Sequence, residues 1–292
     1  MDFGQLMQFV ITGLTIGSIY GLIAIGFVAV YNVTGVLNFA HGEFAMVGAL
    51  TSISLIHAGL PLFLSIPLAI AITAFLGGMI EKTTLSPVRN ASVVTLIIIT
   101  LGLSIIIRGL GYILWGAYPL SMDPFSNNEP IHIWGAVLIP QSMWVFATMI
   151  VLLGGLYVFF EKTVFGAALK ACVVNRKAAE LMGINTKSLS TFSFIMSAAI
   201  GAVAGIVITP ITSATYDMGL FLGLKGVVAM VLGGMNSLTG AVLGGLVLGL
   251  LETFAGGYVS TAYSDAISFA ILILLLFFAP NGLLAKASGK RV

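Results

Sequence analysis

Charge, cysteine and histidine are all scarce in this chain of 292 residues, and each scarcity excludes something. Charged residues make up 8%, against roughly 25% in soluble domains. With 59% hydrophobic residues and a mean hydropathy of +1.13, a soluble fold of this length has too little interior to hide the apolar surface. The single cysteine, Cys172, excludes an intrachain disulfide and gives no sign of a metal site. The three histidines, His41, His57 and His132, are scattered. There is no phosphate-cradling glycine loop, no HExxH and no Cys/His cluster. No polar segment is long enough for an ATPase domain. The reading is a chain without catalytic residues, metal or cofactor of its own, and without nucleic acid as a partner. The first ten residues have no basic stretch, so a cleavable signal peptide is not expected.

What is present is long apolar runs. Lipid offers no partners to backbone N–H and C=O groups, so only helices or closed barrels span it. Barrel strands alternate in polarity over about ten residues; these runs are about twice as long and do not alternate. The sequence therefore predicts an all-α polytopic membrane protein, one domain over 1–292. Spans are expected at 6–31, 36–56, 62–80, 92–115, 141–160, 189–208 and 262–278. Two shorter runs, 220–235 and 241–255, are either two helices or one re-entrant hairpin. The count is eight or nine. Glycines recur every four residues at Gly13, Gly17 and Gly21, and again at Gly201 and Gly205, a spacing that lets helix backbones approach closely. A faint echo, GLTIG at 13–17 with GLFLG at 219–223 and TGVL at 34–37 with TGAVL at 239–243, hints at an internal repeat or at shared composition.

Basic residues in short loops stay cytoplasmic. Lys82 and Arg89 share one loop, five basic residues share the loop before Leu189, and Lys286, Lys290 and Arg291 lie in the tail. The loops of the opposite side carry Asp123, Glu129, Asp217 and Asp265 and no lysine or arginine. This predicts an outside N-terminus and a cytoplasmic C-terminus.

The longest polar interruption, 161–188, contains a short helix with both ends marked. Asn175 is placed to cap its first turn, and Gly183 to end it in a left-handed conformation. Between them lie Arg176, Lys177, Ala178, Ala179, Glu180, Leu181 and Met182. Ala178, Leu181 and Met182 are expected on one side, Lys177 and Glu180 on the other. Two turns are marginal alone, so a capped helix of this kind, with small alanines exposed, looks built to dock on a partner.

A second constellation, NFAHGEF, places Asn38, His41 and Glu43 in the first turns of the second span, near its cytoplasmic end. Its plain reading is helix capping by Asn38 and a favourable dipole position for Glu43. Its functional reading is a gate or a partner contact, because ionisable residues inside spans mark working sites. Arg108 either snorkels outward or pairs with a carboxylate. Lys225 and Glu252, on the two short runs, either pair or line a path.

These segments carry a resemblance. TGVL followed by NFAHGEF, the loop ALKACVVNRKAAELMGIN, the run MVLGGMNSLTGAVLGGLVLGLLE and the tail FFAPNGLL together resemble LivH-type permeases of branched-chain amino acid ABC transporters, in order over nearly the whole chain. KAAELMG matches an EAAxxxG loop signature with Lys177 in first place; the signature's downstream part is not recognisable after Gly183. The resemblance implies a bacterial or archaeal cytoplasmic (inner) membrane and a second, LivM-like permease chain. It also implies two cytosolic subunits that bind ATP and Mg, and an extracytoplasmic substrate-binding protein. It makes 175–183 the coupling helix seated on an ATPase, and the mechanism alternating access. The alternatives by class are an ATP-independent secondary transporter or channel, and a membrane enzyme. The alternatives by substrate are urea, short amides or other amino acids.

Overall fold

A computed structural model describes residues 3–88, 91–126 and 129–258, and isolated positions between 266 and 277. The side chains of Val173 and Arg176, the basic tail and most of the expected span 262–278 lie outside the described residues. Ten α-helices account for most of the rest. They are α1 (Phe3–Thr34), α2 (His41–His57), α3 (Leu62–Ile80), α4 (Val93–Trp115), α5 (Pro140–Lys162), α6 (Val164–Val174), α7 (Arg176–Leu181), α8 (Thr186–Thr212), α9 (Met218–Gly233) and α10 (Leu238–Tyr258). A small antiparallel hairpin, β1 (Ile131–Ile133) with β2 (Ala136–Leu138), sits between α4 and α5. Among the described residues, six helices are long and apolar enough to cross a membrane: α1, α3, α4, α5, α8 and α10. The protein is a multi-pass membrane protein. The hairpin and α6 had no expectation in the sequence.

The core is α1, α2 and α8, wrapped by α9 and α10. Phe27, Leu22, Ile23, Ile25, Phe44, Met46 and Leu50 are fully buried. The glycine spacing does what it predicts. On α1 a Cβ at Gly17 would lie 2.7 Å from the Leu246 Cα of α10, and on α10 a Cβ at Gly249 would lie 2.2 Å from the Gly17 nitrogen. The backbones touch, so no side chain fits between them. α10 runs antiparallel to α1 over its whole length, from Val242 beside Gly21 to Phe254 and Tyr258, whose rings meet Phe9 edge-on and tilted. The 220–255 region forms two helices, α9 and α10. α9 is the shorter, and the turn after it lies at the end of α1, where the Asn32 amide donates to the Asn236 carbonyl.

The second span starts later than its apolar run suggests. Residues 35–40 are not helical, and α2 begins only at His41. The extended backbone dips into the bundle. Phe39 N–H donates to the Thr100 hydroxyl inside α4, and the His41 ring reaches Ile23, well inside α1. Non-helical backbone at such depth is tolerated only where protein or a water-filled cavity satisfies it.

Candidate functional site

The descent of 35–40 moves NFAHGEF away from the place the sequence suggested. Glu43 lies inside the bundle, not at one of its ends. It faces Ser104, which is midway between Val93 and Trp115 on α4. The Ser104 hydroxyl donates to Glu43 Oε1 at 2.7 Å, and Arg108 Nε and Nη2 donate to the same oxygen at 3.4 and 3.2 Å. Arg108 Nη2 also reaches Ser104 Oγ at 3.1 Å. Glu43 is 1% exposed and Arg108 23%. The arginine thus neither snorkels nor stands alone; it is the partner of a buried carboxylate. Glu43 Oε2 has no hydrogen-bond partner among the described residues. It lies at the N-terminus of α9, where a Cβ at Gly219 would approach it to 2.4 Å. Gly42 and Gly219 let the first turns of α2 and α9 meet, so the positive ends of two helices converge on the carboxylate.

His41 is fully buried beneath Glu43. Its Nε2–H donates to the Ile23 carbonyl at 3.1 Å, and its Nδ1 lies 2.8 Å from Ser197 Oγ on α8. The Ser197 hydroxyl is also 3.1 Å from the Gly26 carbonyl, and its one proton serves either neighbour. A Cβ at Gly26 would meet the imidazole at 2.2 Å, so α1 makes room for the ring by having none of its own side chain there. Asn38 is not the capping residue of α2; that position is Ala40, which has no side-chain bond to give. Asn38 Oδ1 instead accepts from Ala40 N–H at 3.1 Å, while its Nδ2 is buried without a partner among the described residues.

A second ion pair ties the late helices to α1. Lys225 Nζ lies 2.8 Å from Glu252 Oε2, and Tyr20 donates to Glu252 Oε1 at 3.2 Å. Of the two readings of Lys225 and Glu252, pairing is the one found.

The polar loop holds α7 as expected, with one correction. Asn175 Oδ1 accepts from Ala178 N–H at 3.0 Å. At the other end Gly183 has φ +85°. Its N–H donates to the Glu180 carbonyl, and Ile184 N–H donates to the Ala179 carbonyl. This pair of bonds around a left-handed glycine closes a helix C-terminus firmly. Glu180 receives the Thr186 hydroxyl. Lys177, Ala178, Leu181 and Met182 are exposed, the last two at 88% and 83%. Ala179 is not: at 4% exposed it packs into the main core. With only six residues in α7, Ala179 points back at the bundle while its neighbours point out. Cys172, on α6, is buried as well.

With this geometry in place the comparisons can be read. Residues 9–276 match the family described as "Branched-chain amino acid transport system / permease component". The chain belongs to that family. It is similar to LivH, the high-affinity branched-chain amino acid transport system permease protein of Salmonella typhimurium, at 32% identity over 100% of this chain and 99% of the relative. It is 31% identical to BraD of Pseudomonas aeruginosa, of the same description, over 98% of each. Among solved structures, PsaBC from Streptococcus pneumoniae in complex with Fab shares the fold, with a TM-score of 0.50 at 15% identity over 96% of this chain and 94% of that one. The resemblance read from NFAHGEF and KAAELMG is upheld.

The residues that sequence reading missed are Ser104, Ser197, Thr100 and Glu81. One signal was available. Thr100, Ser104 and Arg108 recur every four residues on a helix otherwise apolar or glycine apart from Thr95 and the aromatics Tyr112 and Trp115, which puts them on one face.

Proposed function

We propose that this chain is one of two permease subunits of an ABC importer for branched-chain amino acids, with residues 1–292 forming a single permease domain. The ATPase activity, with its ATP and Mg, belongs to two cytosolic partner subunits. An extracytoplasmic protein delivers the substrate. The N-terminus is outside and the C-terminus cytoplasmic, which the distribution of lysine and arginine supports. The observation that carries coupling is α7. It is a short helix fixed at both ends, with Leu181 and Met182 bare at its tip. Large apolar side chains exposed on a polar loop are a contact surface. A firmly closed helix transmits displacement without chemistry of its own. Closure of the ATPase pair pushes α7, and α6 and α8, joined to it through Asn175 and the turn at Gly183, carry the movement into the bundle.

Asn38, His41 and Glu43 serve as the gate in this reading. They join α1, α2, α4, α8 and α9 at mid-depth through one buried ion pair and one buried imidazole. Such a network has discrete arrangements rather than a continuum. Glu43→Gln keeps shape and removes charge. In the reconstituted complex it should change the ratio of ATP hydrolysed to substrate moved, with His41→Ala changing it less. An unchanged ratio in both variants removes the gate.

The whole reading is tested in proteoliposomes holding both permease chains, both ATPases and the binding protein. Uptake of isoleucine should require ATP and the binding protein. Strong uptake by this chain alone down a gradient would instead make it a secondary transporter.

A further inference from the structure

A cavity lies below the Glu43 network, between the descending segment 35–40, α4, α8 and the turn that ends α3. The centre of a water-sized sphere can move through about 50 Å³ of it, so there is room for more than one water. Two of its walls carry unused polar groups. Asn38, 3% exposed, lines it, and its Nδ2 donor is buried without a partner among the described residues. Glu81, also 3% exposed, lines it too. Its Oε2 takes the Thr191 hydroxyl, and its Oε1 accepts from no described group. Leu85, Leu96 and Phe194 supply an apolar wall between them.

Glu81 is placed by an irregularity. It opens a single π-helical turn, Glu81–Leu85, closed by Ser86 N–H donating to the Glu81 carbonyl at 2.7 Å. Such turns cost helix regularity and recur at functional sites. Burying a carboxylate and an amide donor with open valences is expensive unless something completes them. A cavity that offers one acceptor, one donor and an aliphatic surface matches a molecule with an ammonium, a carboxylate and an aliphatic side chain.

We propose that this cavity is a binding subsite of the translocation path for a zwitterionic aliphatic amino acid. Glu81 takes the ammonium, the Asn38 amide donates to the carboxylate, and Leu85, Leu96 and Phe194 hold the side chain. The subsite rests on the permease reading above, and it deepens that reading by naming where the substrate pauses on the Glu81 side of the Glu43–Arg108 pair.

The test uses the assembled complex in nanodiscs. Ser190 lines the same cavity, so Ser190→Cys provides a reporter; Cys172 is buried elsewhere, and the unmutated complex corrects for it. Modification of Ser190→Cys by a small thiol reagent should slow at least fivefold with saturating isoleucine. It should slow little with the corresponding keto acid, which lacks the ammonium, or with the amine, which lacks the carboxylate. Asn38→Asp keeps the acceptor for Ala40 N–H, and Glu81→Gln keeps the shape. Each should abolish protection by isoleucine while the complex still assembles. Protection that is equal for isoleucine, keto acid and amine, or that survives both substitutions, overturns the subsite, even where ATP-driven uptake is normal. Loss of the permease reading is separate: it appears as absence of ATP-dependent uptake in the unmutated complex.

Discussion

α1 and α4 both carry glycines, and the glycines do opposite things. On α1, Cβ atoms at Gly13 and Gly17 would lie 2.9 and 2.7 Å from the backbone of α10. On α4, Cβ atoms at Gly102 and Gly109 would meet nothing within 4 Å. At these positions the same residue is a packing requirement in one helix and an open place in the other; Gly111, also on α4, instead faces the Met46 side chain. The rest of each helix agrees: 89% of the apolar window of α1 is buried, but only 17% of that of α4. α1 is the spine of the chain. α4 shows its apolar flank outward and turns its few polar groups, Thr100 and Ser104, inward. In lipid there is no hydrophobic force to press such a flank onto a neighbour, so close packing decides which helices associate.

Gly17→Leu against Gly102→Leu breaks or upholds this contrast with the largest expected effect. The first inserts a side chain where two backbones touch, and overpacking of this kind costs at least about 1–3 kcal/mol for a single methylene. A whole leucine at a backbone contact should eliminate monodisperse protein after detergent extraction. Gly102→Leu should leave the yield of this chain unchanged. Equal yields for both would mean that α1 and α10 are not held backbone to backbone.

The next test turns to the inward side of α4. Arg108→Leu strands the Glu43 carboxylate in the interior, and breaking a buried pair by removing one partner typically costs about 3–5 kcal/mol. The double variant with Glu43→Gln removes both charges and should recover most of the thermal stability. A double variant no better than Arg108→Leu alone would show that Arg108 stabilises through packing of its stem and not through Glu43.

A third comparison separates two sides of α7. Ala179→Leu overfills a core position and should lower the melting temperature, at a cost of about 1–3 kcal/mol. Leu181→Ser and Met182→Ser change exposed residues, so stability should stay within about 0.5 kcal/mol. ATPase association or transport-linked hydrolysis should fall instead. Serine variants that hydrolyse and transport normally would take the docking role away from the tip.

How far the sequence reached differs along the chain for physical reasons. Helix stripes repeat locally, so Gly13, Gly17 and Gly21 announced a close contact, although not that α10 was on the other side. The caps of α7 were legible because Asn175 and Gly183 act on backbone groups within a few residues. The burial of Ala179 was not, because a six-residue helix gives the period too few repeats to fix a face. The depth of Glu43 was missed for a related reason. Apolar residues at Val36 and Leu37 extend the hydropathy run, yet 35–40 is a non-helical descent, held by Thr100 from another helix. The pairing of Glu43 with Arg108, and the cavity between Asn38 and Glu81, join residues far apart in sequence. Neither has a local signature.

The smallest expected effect belongs to Gly183, and it sharpens what the two ends of α7 contribute. Gly183 has φ +85°, and a Cβ there would touch nothing. Any penalty for Gly183→Ala is therefore backbone strain, about 1–2 kcal/mol for an L residue in the left-handed region. Asparagine visits that region more readily, so Gly183→Asn should cost less than Gly183→Ala, and a β-branched Gly183→Val more. The strain loosens the bonds from Gly183 and Ile184 N–H to the Glu180 and Ala179 carbonyls. Amide exchange at Ile184 should accelerate about 5–30-fold in the alanine variant, the factor that corresponds to one or two kcal/mol. Exchange in the middle of α1 should not change. Transport-linked hydrolysis should follow the same order: glycine, asparagine, alanine, valine. A ranking by side-chain size alone, with asparagine worse than alanine, would mean that the position is limited by a partner's surface and not by the closure of the helix.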